Sequence, residues 1–489
     1  MKKILAVILT ISFLILILAG CGEKQESDLK EAAETTTEAT EEEIVESRIE
    51  ADVPADSNFG GYEFRVLVRN SQHMIFESVD FLAEEQTGDI INDAVYLRNR
   101  AVEEKLNIKI KAEKVFQPFT YIKKMVVAGD DLYDMYVDST DSMVSMATVG
   151  YIYNFYDIPY LDLTKPWWDQ SMEKELTFDH KLYGHMGDIT LSDNYGTWGL
   201  LFNKKIHEDL QLEDIYDLVR TGKWTIFKFY EMIKQGVKDV NGDGNLHVLD
   251  DQLGFATETY NSFVMLTGAG ERIAMKDEND LPVITMNNEK FYSAYNTILE
   301  IQKDKTCVMD AAWVTGVSDV WYDGIIPSFG AGRILFYMGS MALVPNFRSM
   351  EQPFGILPIP KYDEAQSTYY TTMSTGNNGV AYVPTTSSDI TRTGIIIESL
   401  SAESYHTLTP AYYDIALKSK HARDEESAEM LDILFANRRL DVAMNFNIGG
   451  LASLITSQTA NLASSYEKVE VKAQKDIEKL IESFNKTEE

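Results

Sequence analysis

Asp239-Val-Asn-Gly-Asp-Gly-Asn245 opens with the D-x-N-x-D-G spacing of an EF-hand-type calcium loop. Calcium needs hard oxygens crowded round one point. Asp239, Asn241 and Asp243 supply side-chain oxygens, and Gly244 permits the sharp turn. Asn245 would offer its backbone carbonyl. Asp250 stands at the position where a bidentate Glu is preferred, with Asp251 beside it as a substitute, and a helix over 231–239 is expected to precede the loop. The same residues suit a metal-free Asn-Gly/Asp-Gly turn, which needs them for backbone reasons. Calcium here would be structural, and no cofactor is required. The patterns that mark catalysis do not occur: there is no HExxH, no GxSxG, no P-loop and no GxGxxG after a strand. The seven histidines are scattered without a close pair, and Cys307 in Lys305-Thr-Cys-Val308 has neither a Gly-rich nor a His context. It reads as a small hydrophobe. Carboxylates are plentiful, but no spacing among them marks a hydrolytic pair.

The elements that must position these groups alternate along the chain. Phe64–Arg69 reads as a strand, Gly88–Leu106 as a helix with Ile91, Val95, Val102 and Leu106 on one face, and Ile108–Val115 as a second strand. Phe119–Ala128 reads as a helix and Tyr133–Asp138 as a third strand. Strand, helix, strand, helix, strand is a parallel α/β unit. Asp138-Ser-Thr-Asp-Ser142 then falls just past a strand's carboxyl end, where open α/β sheets place ligands. Thr197–Asn203 is a strand entering a helix, Thr225 is an N-cap, and Phe291–Lys303 is helical. Strands follow at Ile334–Met338, Phe354–Pro358 and Gly379–Pro384, then helix from Thr409 to Asn445 and from Ala460 to the end.

At 489 residues, two lobes or more are expected, and 45 % hydrophobic residues suffice for sizeable cores. The net charge of −33, from 44 Lys and Arg against 77 Asp and Glu, repels phosphate backbones and anionic lipid. No nucleic-acid partner is expected. Lys2, Lys3 and the apolar run from Ile4 make an export signal over residues 1–20, and Leu18-Ala-Gly-Cys21 resembles a bacterial lipobox. That resemblance implies lipidation of the Cys21 thiol. The mature chain would be anchored by lipid alone on the extracellular face of the cytoplasmic membrane. Residues 21–57 are rich in Glu, Thr, Ala and Ser and read as a disordered acidic tether. With Cys21 lipidated, Cys307 has no intrachain disulfide partner.

Several segments together resemble bacterial extracellular solute-binding proteins of carbohydrate-type ABC importers. They are Gly196-Thr-Trp-Gly-Leu-Leu-Phe-Asn-Lys-Lys205, Leu218-Val-Arg-Thr-Gly-Lys-Trp-Thr225, Phe329-Gly-Ala-Gly-Arg-Ile-Leu-Phe336, Phe354-Gly-Ile-Leu-Pro-Ile-Pro-Lys361 and Ala422-Arg-Asp-Glu-Glu-Ser-Ala-Glu429. The resemblance implies a two-lobed α/β, periplasmic-binding-protein-like fold. Each lobe is expected to be a mainly parallel sheet flanked by helices, with a hinge of two or more crossings near 189–196 and 375–384. Residues 58–190 with 380–406 form the first lobe, and 191–379 with 407–489 the second. It implies a monomer that takes a carbohydrate between the lobes and docks on ABC permease subunits. The insertions at 152–179 and 311–330 depart from compact members. A secreted carbohydrate hydrolase and a ligand-presenting surface sensor are the alternatives.

Sugar recognition calls for aromatic faces against C–H surfaces, with amides or carboxylates pairing to hydroxyls. The candidates at predicted strand ends and crossings are Asp138, Asp141, Asp193, Asn194, Tyr195 and Trp198. Trp313, Trp321 and Tyr322 in the second insertion could reach the cleft, and Trp167-Trp168 after Pro166 is similar. For each aromatic the plain alternative is core or rim packing.

Overall fold

β1 (Tyr62–Arg69) buries Phe64, Val66, Leu67 and Val68. It pairs in parallel with β2 (Ile108–Val115), in register from Tyr62↔Ile108 to Arg69↔Val115, and with β3 (Met135–Asp138). Parallel neighbours need crossover connections, and α1 (Ile90–Leu106) and α2 (Pro118–Ala128) supply them. Asp89 caps α1 by accepting from the Ile91 and Asn92 amides, and Asn107 closes it in the left-handed region. Gly129 closes α2 in the same way. The expected α/β unit is therefore present, each element within a few residues of its expected bounds. The computed structural model describes residues 48–71, 77–347, 349–413 and 425–486. The expected export signal, Cys21 and most of the expected tether lie outside the described residues. Ala51 is buried and Val53 packs on the same core, so packed chain begins before the expected boundary at 58.

The second sheet is assembled from β4 (Trp198–Asn203), β5 (Leu253–Thr257), β8 (Val308–Asp310), β9 (Ile334–Ser340) and β10 (Phe354–Leu357), in the order β10-β4-β9-β5-β8. Between β5 and β8 lies the small ribbon of β6 (Ala274–Lys276) and β7 (Pro282–Ile284). Here the expectation of a mainly parallel sheet needs correction. β9–β5 and β5–β8 are parallel, whereas β10–β4 and β4–β9 are antiparallel. The reversal has a topological cause, since β4 enters from the first crossing and runs against the strands around it. Trp224 anchors this lobe: it is fully buried and its indole N–H donates to the Pro358 carbonyl (3.0 Å). Thr225 caps α3 (Ile226–Gln235), accepting from the Lys228 amide, as expected. α4 (Asn261–Gly268) packs on α5 (Glu289–Lys303) behind β8.

Among the described elements, those of the two sheets are joined by three connections. The first passage runs from Leu191 to Thr197 into β4. The second leaves β11 (Thr371–Thr372) and reaches β12 (Val380–Tyr382), which pairs antiparallel with β3 and completes the order β12-β3-β1-β2. The third follows α6 (Ile390–His406), packed on α1, and leads to α7 (Glu425–Ala436), packed on β10. The long helix expected over 409–445 is interrupted. Asn437 ends α7 by donating its side-chain amide to the Ile433 carbonyl, and β13 (Arg438–Arg439) pairs in parallel with β11. The chain closes on α8 (Leu462–Lys486).

Gly254 in β5 shows how closely α3 lies on the sheet: a Cβ there would fall 1.9 Å from the Ile233 carbonyl oxygen. Gly254→Ala is expected to destabilise the protein by about 1–3 kcal/mol through overpacking. A lower denaturant midpoint with unchanged slope would register it.

Candidate functional site

The first crossing is held from both sides by buried charge. Arg98 lies on the apolar face of α1 yet is fully buried; its guanidinium donates to the Ile189 carbonyl (3.2 Å) and Ser404 Oγ (3.2 Å). The Asp80 carboxylate accepts from the Leu191 amide (2.7 Å). Facing them, Arg438 reaches out of β13 to Asp169 (2.8 Å), Asp193 (3.5 Å) and Asn194 Oδ1 (3.3 Å). Asp193 and Asn194 are therefore committed to the crossing itself, since Arg438 needs their oxygens to offset its own desolvation. Arg69 does similar work at the second crossing, donating to Asp138 (2.6 Å) and to the Gly376 carbonyl (2.6 Å). Asp138 also accepts from the Phe119 amide at the start of α2 (3.0 Å), so its oxygens are engaged in joining β3 to that helix.

A cavity of about 380 Å³ opens beside these crossings, at the ends of β4 and β9 and just beyond the carboxyl end of β5. Its walls include Trp198, Glu258, Tyr260, Trp321, Tyr322 and Tyr337. Trp198 stacks on Tyr260, ring centroids 5.4 Å apart and planes 28° apart. Trp321 and Tyr322 come from the insertion, on a single π-helical turn over Val320–Ile325. Asp319 caps that turn by accepting from the Trp321 amide (2.8 Å) and the Tyr322 amide (2.9 Å), which sets both rings in place. Leu343, Ile326 and Met338 make the apolar part of the wall, and Ser340, Ser374 and Asn377 add neutral polar groups. Burial, with Asp310 nearby, pushes the Glu258 carboxyl up to about 7. Tyr260 also lines an adjoining cavity of about 540 Å³ with Asp141, Ser145, Thr375 and Asn445.

The structure thus brings Trp198, Trp321 and Tyr322 together and puts Asp141 in the next compartment. Asp138 and Tyr195 line a small cleft around Arg69, with Tyr195 edge-on to Tyr412 at 4.8 Å. Trp313 is placed elsewhere: Lys305 Nζ lies 4.7 Å from its ring centroid, and it is not among the residues lining the cavity. Trp167 and Trp168 are core residues, fully buried, with the Trp168 indole donating to Glu398 (3.1 Å). Cys307 is a buried free thiol, pushed up to about 12 by burial. Glu258, Tyr260 and Tyr337 were missed. The first two sit just past β5, a strand the sequence reading did not assign, and the rule that ligands gather at strand carboxyl ends would have found them.

In the Asp239–Asn245 loop the side-chain oxygens hold the loop's own backbone. Asp239 accepts from the Gly242 amide (2.7 Å) and the Gly244 amide (2.9 Å), Asn241 from Asp243 (2.9 Å) and Asp243 from Asn245 (2.7 Å). Asp251 accepts from the Val240 and His247 amides, both at 2.8 Å, and Asp250 lies 3.3 Å from His247 Nδ1. This is the bonding of a turn closed by its own carboxylates. Among the described residues no group of three or more His, Cys, Asp or Glu is placed to hold a metal ion. The preceding helix α3 stops at Gln235, short of the expected Asp239.

Three solved structures share this architecture. An ABC substrate-binding protein from Listeria monocytogenes in complex with cycloalternan matches with a TM-score of 0.53 at 11 % identity, over 87 % of this chain and 99 % of that one. A cyclo/maltodextrin-binding protein complexed with maltotetraose matches at 0.53 and 12 %, over 88 % and 98 %. A sugar transporter from Rhizobium etli in an open conformation matches at 0.54 and 14 %, over 86 % and 99 %. At these identities the likeness establishes the fold: the two-lobed α/β architecture expected from the sequence is the one they share. No protein-family model and no curated protein matches the chain.

The buried acids at the crossing make a pH prediction. Burial pushes Asp188 up to about 8 and Asp193 up to about 7, and the groups facing Asp188 are Thr409, Asp193, Arg438 and Asp169. An unfolded Asp titrates near 3.9. Between about pH 4 and 8 the folded chain therefore holds protons that the unfolded chain has lost, and stability falls as pH rises through that window. The melting temperature is expected to drop from pH 5 to pH 8, and Asp188→Asn to flatten the drop. Calorimetry across that range checks both, and an unchanged slope in the variant would refute the assignment.

Proposed function

We propose that this chain is a lipid-anchored extracellular solute-binding protein, which captures a sugar or oligosaccharide between its two lobes and delivers it to an ABC permease. The observation that carries the proposal is the 380 Å³ cavity of the second lobe, walled by Trp198, Tyr260, Trp321, Tyr322 and Tyr337, together with the adjoining compartment where Asp141 and Ser145 of the first lobe face Tyr260 and Asn445 of the second. Aromatic faces set at different angles suit the C–H surfaces of sugar rings, and the interspersed Ser, Asn and carboxylate groups suit their hydroxyls. The three fold relatives support the reading, because two were solved in complex with cycloalternan and maltotetraose and the third is a sugar transporter. A ligand touching both lobes favours the closed arrangement by its differential affinity for it, which is what a permease can read. The export signal and the lipobox-like Leu18-Ala-Gly-Cys21 support the anchored location.

One observation favours a second reading, a carbohydrate hydrolase: Glu258 is held at about 7 in an aromatic pocket, the poise of a general acid. A single experiment separates the two. The purified protein is screened by thermal shift against mono- and oligosaccharides, and the mixtures are then analysed for shortened products. The solute-binding reading expects stabilisation of about 2.7 kcal/mol at a hundredfold excess over Kd, with the sugar recovered intact. Trp321→Ala, at a half-buried position outside the sheets, is expected to keep the fold and lose about 2 kcal/mol of affinity, close to thirtyfold in Kd. Product formation would replace the proposal with the hydrolase. Silence across the panel would remove the carbohydrate reading.

A further inference from the structure

Among the described residues, those lining the cavity include no Lys, Arg or His, and neither do those lining the adjoining compartment. Among the described residues, three nearby cations are engaged elsewhere. Arg69 is bound to Asp138 and the Gly376 carbonyl, Arg438 to Asp169 and Asp193, and Lys305 lies over Trp313. The ionisable wall groups are acids. Asp319 is engaged with the Trp321 and Tyr322 amides, and Asp141, in the adjoining compartment, with Thr375. Glu258 differs. Its half-buried carboxylate lines the cavity and has no hydrogen-bond or ion-pair partner among the described residues.

We infer that the ligand is a glycan without anionic groups, and that Glu258 is the acceptor that reads it by taking hydrogen bonds from its hydroxyl or ammonium donors. The inference rests on the solute-binding reading and narrows it to a charge class. A carboxylate withdrawn from water and left unpaired carries a desolvation cost that an incoming donor removes. The π faces of Trp198, Tyr260 and Tyr337 add attraction for polarised C–H groups and for a cation. A uronate, sulfate or phosphate would instead enter a wall holding Glu258, Asp319 and, next door, Asp141, with no cation among the described lining residues to compensate. Rejection of anionic sugars then comes from the missing compensating cation and, once Glu258 is ionised, from unpaired like charge, a repulsive element of specificity.

The test uses three sets of tri- and tetrasaccharides built from neutral hexoses, from glucosamine and from uronic acids, titrated calorimetrically into the full protein. Binding is expected from the neutral or glucosamine sets, and none from the uronates. Glu258→Gln is expected to weaken the bound sugar at least tenfold while leaving the melting temperature of the free protein unchanged or raised. Binding of a uronate oligosaccharide to the unaltered protein would overturn the inference while leaving the solute-binding reading intact. So would full affinity in the Glu258→Gln variant. No binding from any set would overturn the solute-binding reading, and this inference with it. The uronate comparison needs no variant, so it decides the matter even if the substitution disturbs folding.

Discussion

Arg438 lies where three separate stretches of chain meet, and the arrangement of the two lobes depends on its charge being met. Asp169 comes from the cap of the short helix Gln170–Leu176, Asp193 and Asn194 from the first crossing, and Arg438 itself from β13, paired to β11 at the start of the second crossing. A guanidinium withdrawn from water is tolerated only where the geometry of its partners is good and their remaining lone pairs are used. Asp169 satisfies that condition by also accepting from the Ser171 and Met172 amides. The cluster therefore does more than add an ion pair. It sets where the crossings lie relative to one another, and so where the cavity opens.

The cavity shows a division of labour that follows from this constraint. Trp198 and Tyr337 stand on strands of the second sheet, whose backbones are fixed by neighbours on both sides. Trp321 and Tyr322 stand on an inserted turn that has no sheet to hold it, and Asp319 performs that task locally. Position comes from the sheet for one wall and from a capping carboxylate for the other. Acids with structural duties are bound to amides and guanidinium groups, whereas Glu258 faces the cavity without such a partner. This distinction separates scaffold carboxylates from a recognising one more clearly than their positions in the chain do.

Much of the fold was legible because its signals are local. The alternation in β2, the apolar stripe of α1, the Thr225 cap and the strand-to-helix passage at Asn203 each depend on residues within a turn or two of one another. Arg98 was legible in principle, being a charge at helical spacing on an otherwise apolar face. Half of the site was legible for a similar reason, since Trp198 opens a readable strand and Trp321-Tyr322 sits in a readable insertion. Asp193 and Asn194 were legible as residues of the crossing, but what they bond to was not. Their partner Arg438 stands 245 and 244 positions further on, and nothing near residue 193 announces it. The surroundings of Trp167, Trp168 and Trp313 were not legible either, because a tryptophan in a loop looks the same in sequence whether it faces a cleft, a lysine or the core.

By itself the sequence determined the class of fold, the order of its elements and the absence of recognised catalytic motifs. Periodicity, capping residues and short motifs are properties of neighbouring residues, and the chain carries them without help. Tertiary structure alone decided which acids are spent and which is free, which aromatics share a wall, and that the second sheet is mixed. Each of these depends on residues far apart in the chain arriving within a few ångströms of each other. Burial and pairing, which set a carboxylate's role, exist only once they have.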